Sequence, residues 1–305
     1  MKLFYCFLSC FFVVLGFSQS QTFSIRNIDL NDDKPHFGLF INNNQTVLFT
    51  SYQLNKKGKI KKYLENGILN IYEGKITDEG ELAEIKPIHI DENEDIWHIT
   101  SACISPDGKT LYVTTNYTNR KNRPKETFKE TNFHIEKAEY KEGVGWTNFT
   151  VLPFCKARYS YAHPSISPDG KTLYFTGNIR GGKETAKGTS DIFKVNINDD
   201  ASFSEPKNLG SKVNSYSGEI FPYFSHDNYL YFASNRPNGL GGFDIYKSKL
   251  TETGDFEKAM VLPKPINSKE DDICFVVDAS GKFGYFSSKR NEGKGEDDIY
   301  YFTVQ

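Results

Sequence analysis

The 305-residue chain has the composition of a globular, strand-favouring protein, with 15% aromatic and 25% charged residues. Its formal net charge of -2 provides no electrostatic attraction to nucleic acid, so we expect no nucleic-acid partner. Length alone is compatible with one large all-β domain or with two smaller ones.

The first predicted element is an export signal. Lys2 is followed by an almost wholly apolar run, Leu3 to Phe17, and then by small residues. A run of about 15 residues is short for a bilayer span, which needs about 20, so the pattern predicts a secretory signal peptide over residues 1–20. The mature chain, residues 21–305, is then one domain without a transmembrane segment, in the periplasm, at the outer membrane or outside the cell.

The mature chain keeps an odd number of cysteines, Cys103, Cys155 and Cys274, in a compartment that permits disulfides. A bridge between Cys103 and Cys155 is one interpretation. The favoured interpretation is that the three cysteines act as small buried apolar residues on strands. The spacings match no zinc or haem motif, and the sequence indicates no metal and no cofactor.

The decisive feature is an internal repeat. The segment Ser105–Asn116 (SPDGKTLYVTTN) recurs as Ser167–Asn178 (SPDGKTLYFTGN), with ten of twelve positions identical. Weaker copies run over Ser225–Arg236, Asp278–Arg290 and Gln45–Ser51. Self-similarity at such a spacing predicts a repeat architecture.

A second element follows each copy, and it supplies a third strand to each repeat. In the SPDG segment, Pro presets φ and Gly accepts the left-handed conformation, so the segment predicts a hairpin turn between two strands. A fourth strand is predicted within Asn148 to Leu152, Lys207 to Leu209 and Ala259 to Leu262, and helices are expected to be minor. The second elements are Asn70-Ile-Tyr72, Asn132-Phe-His-Ile135, Asp191-Ile-Phe193, Asp244-Ile-Tyr246 and Asp298-Ile-Tyr300.

These units predict an all-β fold, a β-propeller of about five four-stranded blades. The chain ends soon after the third strand of the last unit. It begins, after the signal, with the strand-like segment Thr22–Ile28. Strand counting therefore predicts that the N-terminal strand closes the ring as the fourth strand of the last blade.

Together, the SPDGKTLYF segment and the following Asp-Ile-Tyr resemble the WD40-like "PD" β-propeller repeats of the TolB C-terminal domain. The resemblance to the exported versions common in Bacteroidetes-type bacteria is closer still. The resemblance covers nearly the whole mature chain, but the first repeat lacks both Pro-Asp-Gly and the Asp of Asp-Ile-Tyr. It implies a location in the cell envelope and a protein-interaction or ligand-binding role.

Propeller geometry assigns the variable segments to one face of the ring. Loops between the second and third strands share a face with the loops that enter the first strands, which we call the loop face. The SPDG turns lie on the opposite face, the turn face, and are interpreted as scaffold. Binding is expected on the loop face, because variable loops on a rigid frame usually carry it. The variable segments are Tyr52 to Gly67, Tyr117 to Thr131 and Pro237 to Gly242.

Near the entrances to the five inner strands stand three histidines and two acids, which could point into one axial funnel. They could form a metal or acid/base cluster, but capping and loop hydrogen bonds are the favoured interpretation. Aromatic and cationic residues nearby suggest a binding rim. The entrance residues are His36, His98, His163, Glu219 and Asp272. The candidate binding residues are His98, Arg158, Tyr159, Tyr161, His163, Glu219, Asn235, Arg236, Asp272 and Arg290.

Three functions remain open at this stage. The favoured one is a monomeric binding module that presents its loop face to an envelope protein or glycan, with no catalytic residue. The alternative is a five-bladed glycoside hydrolase using Glu219 and Asp272, whose chemistry needs carboxyl groups roughly 5 to 9.5 Å apart. The third is a purely structural envelope component. A sialidase is rejected, because the SPDG segment lacks the Trp and the spacing of the sialidase box.

Overall fold

The computed structural model describes residues 22–43, 45–118, 121 and 123–305, and within these ranges its regular elements are all strands. The predicted signal peptide, residues 1–20, lies outside the described residues. In chain order the strands are β1 (Phe23–Asn27), β2 (Phe37–Asn42), β3 (Thr46–Tyr52), β4 (Lys62–Tyr63), β5 (Asn66–Gly67), β6 (Leu69–Ile76), β7 (Leu82–Pro87), β8 (Thr100–Ile104), β9 (Thr110–Asn116), β10 (Phe133–Lys141), β11 (Gly145–Val151), β12 (Tyr161–Ile166), β13 (Thr172–Gly177), β14 (Asp191–Asn196), β15 (Lys207–Asn208), β16 (Glu219–Phe224), β17 (Tyr229–Ser234), β18 (Asp244–Lys249), β19 (Met260–Val261), β20 (Asp272–Val277), β21 (Phe283–Ser288) and β22 (Asp298–Val304).

Twenty of these strands form five four-stranded antiparallel sheets, which are the blades of a β-propeller, and β4 and β5 pair with each other as a hairpin between β3 and β6. Blade 1 is β2-β3-β6-β7, blade 2 is β8-β9-β10-β11, blade 3 is β12-β13-β14-β15 and blade 4 is β16-β17-β18-β19. The first strands β2, β8, β12, β16 and β20 contact one another in a closed ring around the axis. The predicted five-bladed fold is confirmed.

Blade 5 contains both ends of the described chain. Its order is β20-β21-β22-β1, and β1 pairs antiparallel with β22 from Phe23 opposite Val304 to Asn27 opposite Tyr300. The predicted N-terminal closure is therefore confirmed. It joins blade 5 to the start of blade 1 by main-chain hydrogen bonds, and so couples the stability of the ring to the N-terminal strand.

Each inner strand carries one residue in the left-handed conformation, at a break in its pairing with the second strand. Two of the bulged amides donate to threonine hydroxyls of the preceding blade: Ser101 N to Thr50 Oγ1 at 3.0 Å and His163 N to Thr114 Oγ1 at 2.9 Å. The cavity at this level of the axis is only about 20 Å³, so the ring is nearly closed there. The five residues are Gly38, Ser101, His163, Phe221 and Cys274.

The SPDG segments form the predicted turns. Ser105 Oγ donates to Asp107 Oδ1 at 2.5 Å, and the same carboxylate accepts the amide of Lys109 at 3.1 Å. Gly108 has φ of +73°, so the glycine supplies the left-handed residue that closes the turn. The copy at Ser167 repeats these contacts.

The Asp-Ile-Tyr element connects the surrounding loops to its blade through hydrogen bonds. In blade 3, Asp191 accepts the amides of Lys187 and Gly188, both at 3.0 Å, and so fixes the loop before β14. The main chain of Ile192 is bridged by Asn214, which accepts from its N–H at 2.8 Å and donates to its C=O at 2.9 Å. Asn267 bridges Ile245, and Asn31 bridges Ile299, in the same way.

Blade 2 departs from this pattern. Ile135 of blade 2 pairs with Thr114, and Ile192 of blade 3 pairs with Thr176, so the two isoleucines occupy equivalent positions. In blade 2, His134 therefore replaces the Asp of the Asp-Ile-Tyr element, and Glu136 replaces its aromatic residue. His134 Nε2 and Glu136 Oε1 are 2.8 Å apart, and both side chains are buried. This buried pair was not predicted from the sequence.

The three cysteines among the described residues are free thiols. Cys103 and Cys274 are buried on β8 and β20, as the favoured interpretation predicted, whereas Cys155 is half-buried in the loop after β11. Burial raises the pKa of Cys155 to about 12 and raises the pKa of the other two as well, so none of them is an activated nucleophile. The described residues contain no helix that could cross a bilayer.

Candidate functional site

Both predicted acids lie in buried ion pairs rather than in an open funnel. Glu219 Oε1 is 3.1 Å from Arg236 Nη2, and Asp272 Oδ1 is 2.6 Å from Arg290 Nη2. Both carboxylate side chains are 0% exposed. Each pair joins the start of an inner strand to the end of the second strand in the same blade.

Further hydrogen bonds complete these two networks. Glu219 accepts the amide and hydroxyl of Ser215 at 2.9 and 2.5 Å, and Asp272 accepts the amide of Ser268 at 2.6 Å. Arg290 also donates to the carbonyls of Pro265 and Ile266 at 3.1 and 2.8 Å. The carboxylates and guanidiniums therefore hold the loops that enter blades 4 and 5, which is a structural role.

The remaining predicted rim residues lie apart from a common cavity. The Arg158 guanidinium stacks on Tyr159, 5.0 Å from the ring centroid, while Tyr161 is buried in the core of blade 3. Asn235 accepts the amide of Gly218 at 2.7 Å. Of these, only Arg158 and Asn235 are largely exposed.

The three predicted histidines also occupy separate surroundings. His163 lies at the closed centre of the ring, where its imidazole stacks on Phe221 with centroids 3.7 Å apart. Burial lowers the pKa of His163 to about 3, so the ring stays neutral and its Nδ1 accepts the amide of Phe221 at 3.3 Å. His36 is buried against Phe49. Among the described residues, no group of three or more His, Cys, Asp or Glu is arranged to hold a metal ion.

His98 differs from the other two because it lines a cavity on the loop face. This cavity of about 390 Å³ lies between blades 1 and 2, and we call it the aromatic pocket. Its volume falls within the range of about 300 to 1,000 Å³ that is usual for small-molecule sites. Its lining residues are Tyr63, Leu64, Asn66, Gly67, Ile68, Trp97, His98, Asn116, Thr118, Glu130, Thr131 and Phe133.

Aromatic and apolar side chains dominate the walls of the aromatic pocket. Tyr63 and Trp97 meet edge to face, with centroids 5.1 Å apart and planes at 89°. Phe133 is 38% exposed and Leu64 is 76% exposed. Large apolar side chains left open to solvent around a cavity are typical of binding surfaces.

Several residues around the pocket have backbone conformations that are unfavourable for their side chains. The β4–β5 hairpin turns through Leu64 and Glu65, whose φ angles are +44° and +68°. This type of turn favours Asn or Gly, so a leucine there is strained. His98 also has a positive φ, +60°. Strain of this kind concentrates at ligand-binding positions.

The protonation state of His98 follows from its contacts. Its Nδ1 accepts the amide of Leu69 at 3.3 Å, so the neutral ring carries its proton on Nε2. Burial lowers the pKa of His98, which keeps the ring neutral at physiological pH. His98 therefore offers an N–H donor to its surroundings.

A second loop-face cavity, of about 680 Å³, shares Trp97 and His98 with the aromatic pocket. Its walls are more polar and include Lys61, Asp91 and Glu94. Trp97 and His98 thus stand between two adjacent cavities.

The turn face has an axial cavity of its own, of about 330 Å³. It is bordered by Pro106 and Pro168 of the SPDG turns, together with Asn43, His226 and Ala279. The turn face is therefore scaffold that also surrounds a cavity, a feature that motif analysis alone did not indicate.

Sequence reasoning predicted the loops and His98, but not the other side chains that form the aromatic pocket. Tyr63, Leu64, Thr118 and Glu130 belong to the two long loops singled out as variable, whereas Trp97 and Phe133 were overlooked. Trp97 had one available signal, since it is one of only two tryptophans in the chain and stands beside a histidine of the predicted site.

No protein-family model matches this sequence, and no curated protein is similar to it. Several solved structures are similar to this chain at low sequence identity. A protein of unknown function from Dyadobacter fermentans is 13% identical over 88% of this chain and 75% of its own, with a TM-score of 0.48. Trypanosoma rangeli sialidase is 9% identical over 89% and 55%, with a TM-score of 0.47. A TolB candidate from Agrobacterium tumefaciens is 12% identical over 94% and 98%, with a TM-score of 0.45. These likenesses concern the fold alone.

Proposed function

We propose that the protein is an exported, non-catalytic β-propeller of the cell envelope, which holds a ligand or protein partner on its loop face. The observation that carries the proposal is the aromatic pocket, where Tyr63, Trp97 and Phe133 surround a cavity of about 390 Å³. The blades form a rigid frame for the loops that carry these side chains, an arrangement typical of binding sites.

The arrangement of the acids favours binding over hydrolysis. A glycoside hydrolase needs one carboxyl group to donate a proton and a second to attack or to activate water. Glu219 and Asp272 are instead fully buried and each pairs with an arginine. Neither carboxylate lines the aromatic pocket.

The cellular location in this proposal rests on the N-terminal segment. We expect the protein recovered from an envelope fraction to begin at Gln21 when its N-terminus is sequenced. Recovery of the uncleaved chain from the cytoplasm would contradict export.

The binding role is tested by crosslinking the exported protein to native envelope components in three forms: wild type, Trp97→Ala and Tyr216→Ala. Tyr216 is the matched control, since it is a loop-face aromatic residue that is 86% exposed and outside the aromatic pocket. We expect wild type and Tyr216→Ala to retain the same component and Trp97→Ala to lose it. Equal retention by all three forms would contradict binding at this pocket.

A catalytic control completes this test. Glu219→Gln, assayed on a glycan panel beside wild type, is expected to reveal no hydrolysis in either form. Hydrolysis by wild type that disappears in a folded Glu219→Gln protein would replace the binding function with the enzymatic one.

A further inference from the structure

We propose that the aromatic pocket is a saccharide subsite, which receives an uncharged pyranose ring of a glycan chain. The inference rests on the proposed loop-face binding function and names the class of ligand. It follows from the shape, the charge and the hydrogen-bonding groups of the pocket.

The aromatic walls suit the apolar faces of a sugar ring. Trp97 and Phe133 present large flat surfaces, and the edge-to-face contact with Tyr63 holds Trp97 in place. Aromatic side chains bury much apolar area at little entropic cost, which is why they recur at binding sites. A pyranose offers C–H groups to such surfaces, and its hydroxyl groups remain at the ring edge.

The charge of the lining selects a neutral ligand. Among the described residues that line the pocket there is no lysine and no arginine. The single acid, Glu130, forms an ion pair with Arg123, so a cationic group would have to compete with an existing partner. His98 stays neutral because burial lowers its pKa.

The uncharged polar side chains of the pocket can form hydrogen bonds with the hydroxyl groups of a sugar. His98 offers its Nε2–H, Asn116 and Asn66 carry amide groups, and Thr131 carries a hydroxyl. Neutral donors and acceptors beside aromatic surfaces match a ring that is apolar on its faces and polar at its edge. Asn116 Oδ1 already accepts the amide of Thr118, and Asn66 Nδ2 donates to the carbonyl of Leu64. An apolar peptide would offer no partner to the remaining donors and acceptors of these side chains, which costs binding energy.

The adjacent cavity extends the site along the chain of a glycan. Because Trp97 and His98 line both cavities, a ligand longer than one ring continues from the aromatic pocket past Trp97. We therefore expect a neutral tetrasaccharide to bind more tightly than the corresponding monosaccharide.

Trp97 provides its own reporter for the test. The chain has two tryptophans, and Trp146 is buried, so a Trp146→Phe background leaves Trp97 as the only indole. The probes are glucose, N-acetylglucosamine, cellotetraose and chitotetraose, with an oligoglucuronate as charged comparison and a leucine-rich peptide as apolar comparison. The readouts are Trp97 emission and its protection from acrylamide quenching. Saturation-transfer NMR on the wild-type protein provides a readout that does not need the substitution.

We expect at least one neutral tetrasaccharide to shift Trp97 emission and to protect the indole from acrylamide. Phe133→Ala should weaken that saccharide about tenfold or more, as loss of a buried aromatic face implies, and Tyr216→Ala should leave its affinity unchanged. In saturation-transfer NMR, Trp97→Ala should abolish or weaken the signal by a similar factor. Thermal melting establishes that each variant is folded.

Three results would overturn the inference. In the first, no neutral saccharide binds, while Trp97→Ala still abolishes retention of an envelope component; the saccharide class is then wrong and the loop-face binding function survives. In the second, the peptide or the oligoglucuronate binds in a Trp97-dependent way and the neutral sugars do not bind. In the third, saccharides bind Trp97→Ala as well as they bind wild type, which places their site elsewhere. Failure of the proposed function itself has a different signature, namely equal retention of envelope components by all variants.

Discussion

Replacement of Arg290 by alanine tests whether the predicted rim residues are structural. Arg290 is 9% exposed and donates to Asp272, which is 0% exposed, and to the carbonyls of Pro265 and Ile266. Removing the guanidinium leaves a buried carboxylate without its counter-charge, which costs about 3 to 5 kcal/mol in buried pairs. We expect a decrease in the midpoint of thermal unfolding of about 10 °C for a chain of this size.

The assay is a double-mutant cycle by urea unfolding with Arg290→Ala, Asp272→Asn and the double variant. Because Asp272→Asn removes the buried charge, the double variant should lose less stability than the sum of the singles, by about 2 kcal/mol. Lys289→Ala is the neighbouring control. Its amine lies 3.8 Å from Asp271 and is 48% exposed, so the cost should stay below about 1 kcal/mol.

Additive single effects, or an Arg290→Ala cost no larger than that of Lys289→Ala, would refute the reasoning. So would a folded Arg290→Ala protein of wild-type stability that no longer bound its ligand, because Arg290 would then belong to the binding rim.

Three further predictions concern other buried groups. Burial raises the pKa of Asp297 from about 3.8 in the unfolded chain to about 6 in the folded protein. Ionisation of Asp297 therefore lowers the free energy of unfolding progressively as the pH rises from 3.8 to 6 and above. Asp297→Asn should therefore gain up to about 3 kcal/mol over wild type at pH 7.5 in urea unfolding and almost nothing at pH 4, and an equal difference at both pH values would contradict this. Asn31→Ala should cost about 2 kcal/mol or more, because it removes both side-chain hydrogen bonds to the buried main chain of Ile299; an unchanged urea midpoint would contradict the bridge. Cys103 and Cys155 should both react with a thiol reagent in denaturant without reductant, and recovery of a disulfide-linked peptide pair by mass spectrometry would show the opposite.

The sequence was sufficient to predict the fold because its repeats encode local turns. Each SPDG copy determines a hairpin through Pro, Asp and Gly, and counting strands between copies predicted the closure of blade 5 by β1. Asn31, Asn214 and Asn267 were not recognised as a repeat. Their partners are main-chain groups of the preceding blade, which a search for side-chain motifs does not reveal.

Apart from His98, the candidate site was predictable only at the level of loops. The carboxylates of Glu219 and Asp272 attracted attention as acids, but their arginine partners are 17 and 18 residues away in sequence and meet them only through strand pairing. The aromatic pocket depends on the approach of the β4–β5 hairpin, which follows β3 of blade 1, to the loop that enters blade 2, so that Tyr63 contacts Trp97. A single sequence carries no signal for that approach.

The most direct test of the central claim is the affinity of the loop face for its ligand in Trp97→Ala relative to Tyr216→Ala. The proposed pocket predicts a loss of about tenfold or more in Trp97→Ala and wild-type affinity in Tyr216→Ala, with both proteins folded. Equal affinities of the two variants would contradict binding at the aromatic pocket.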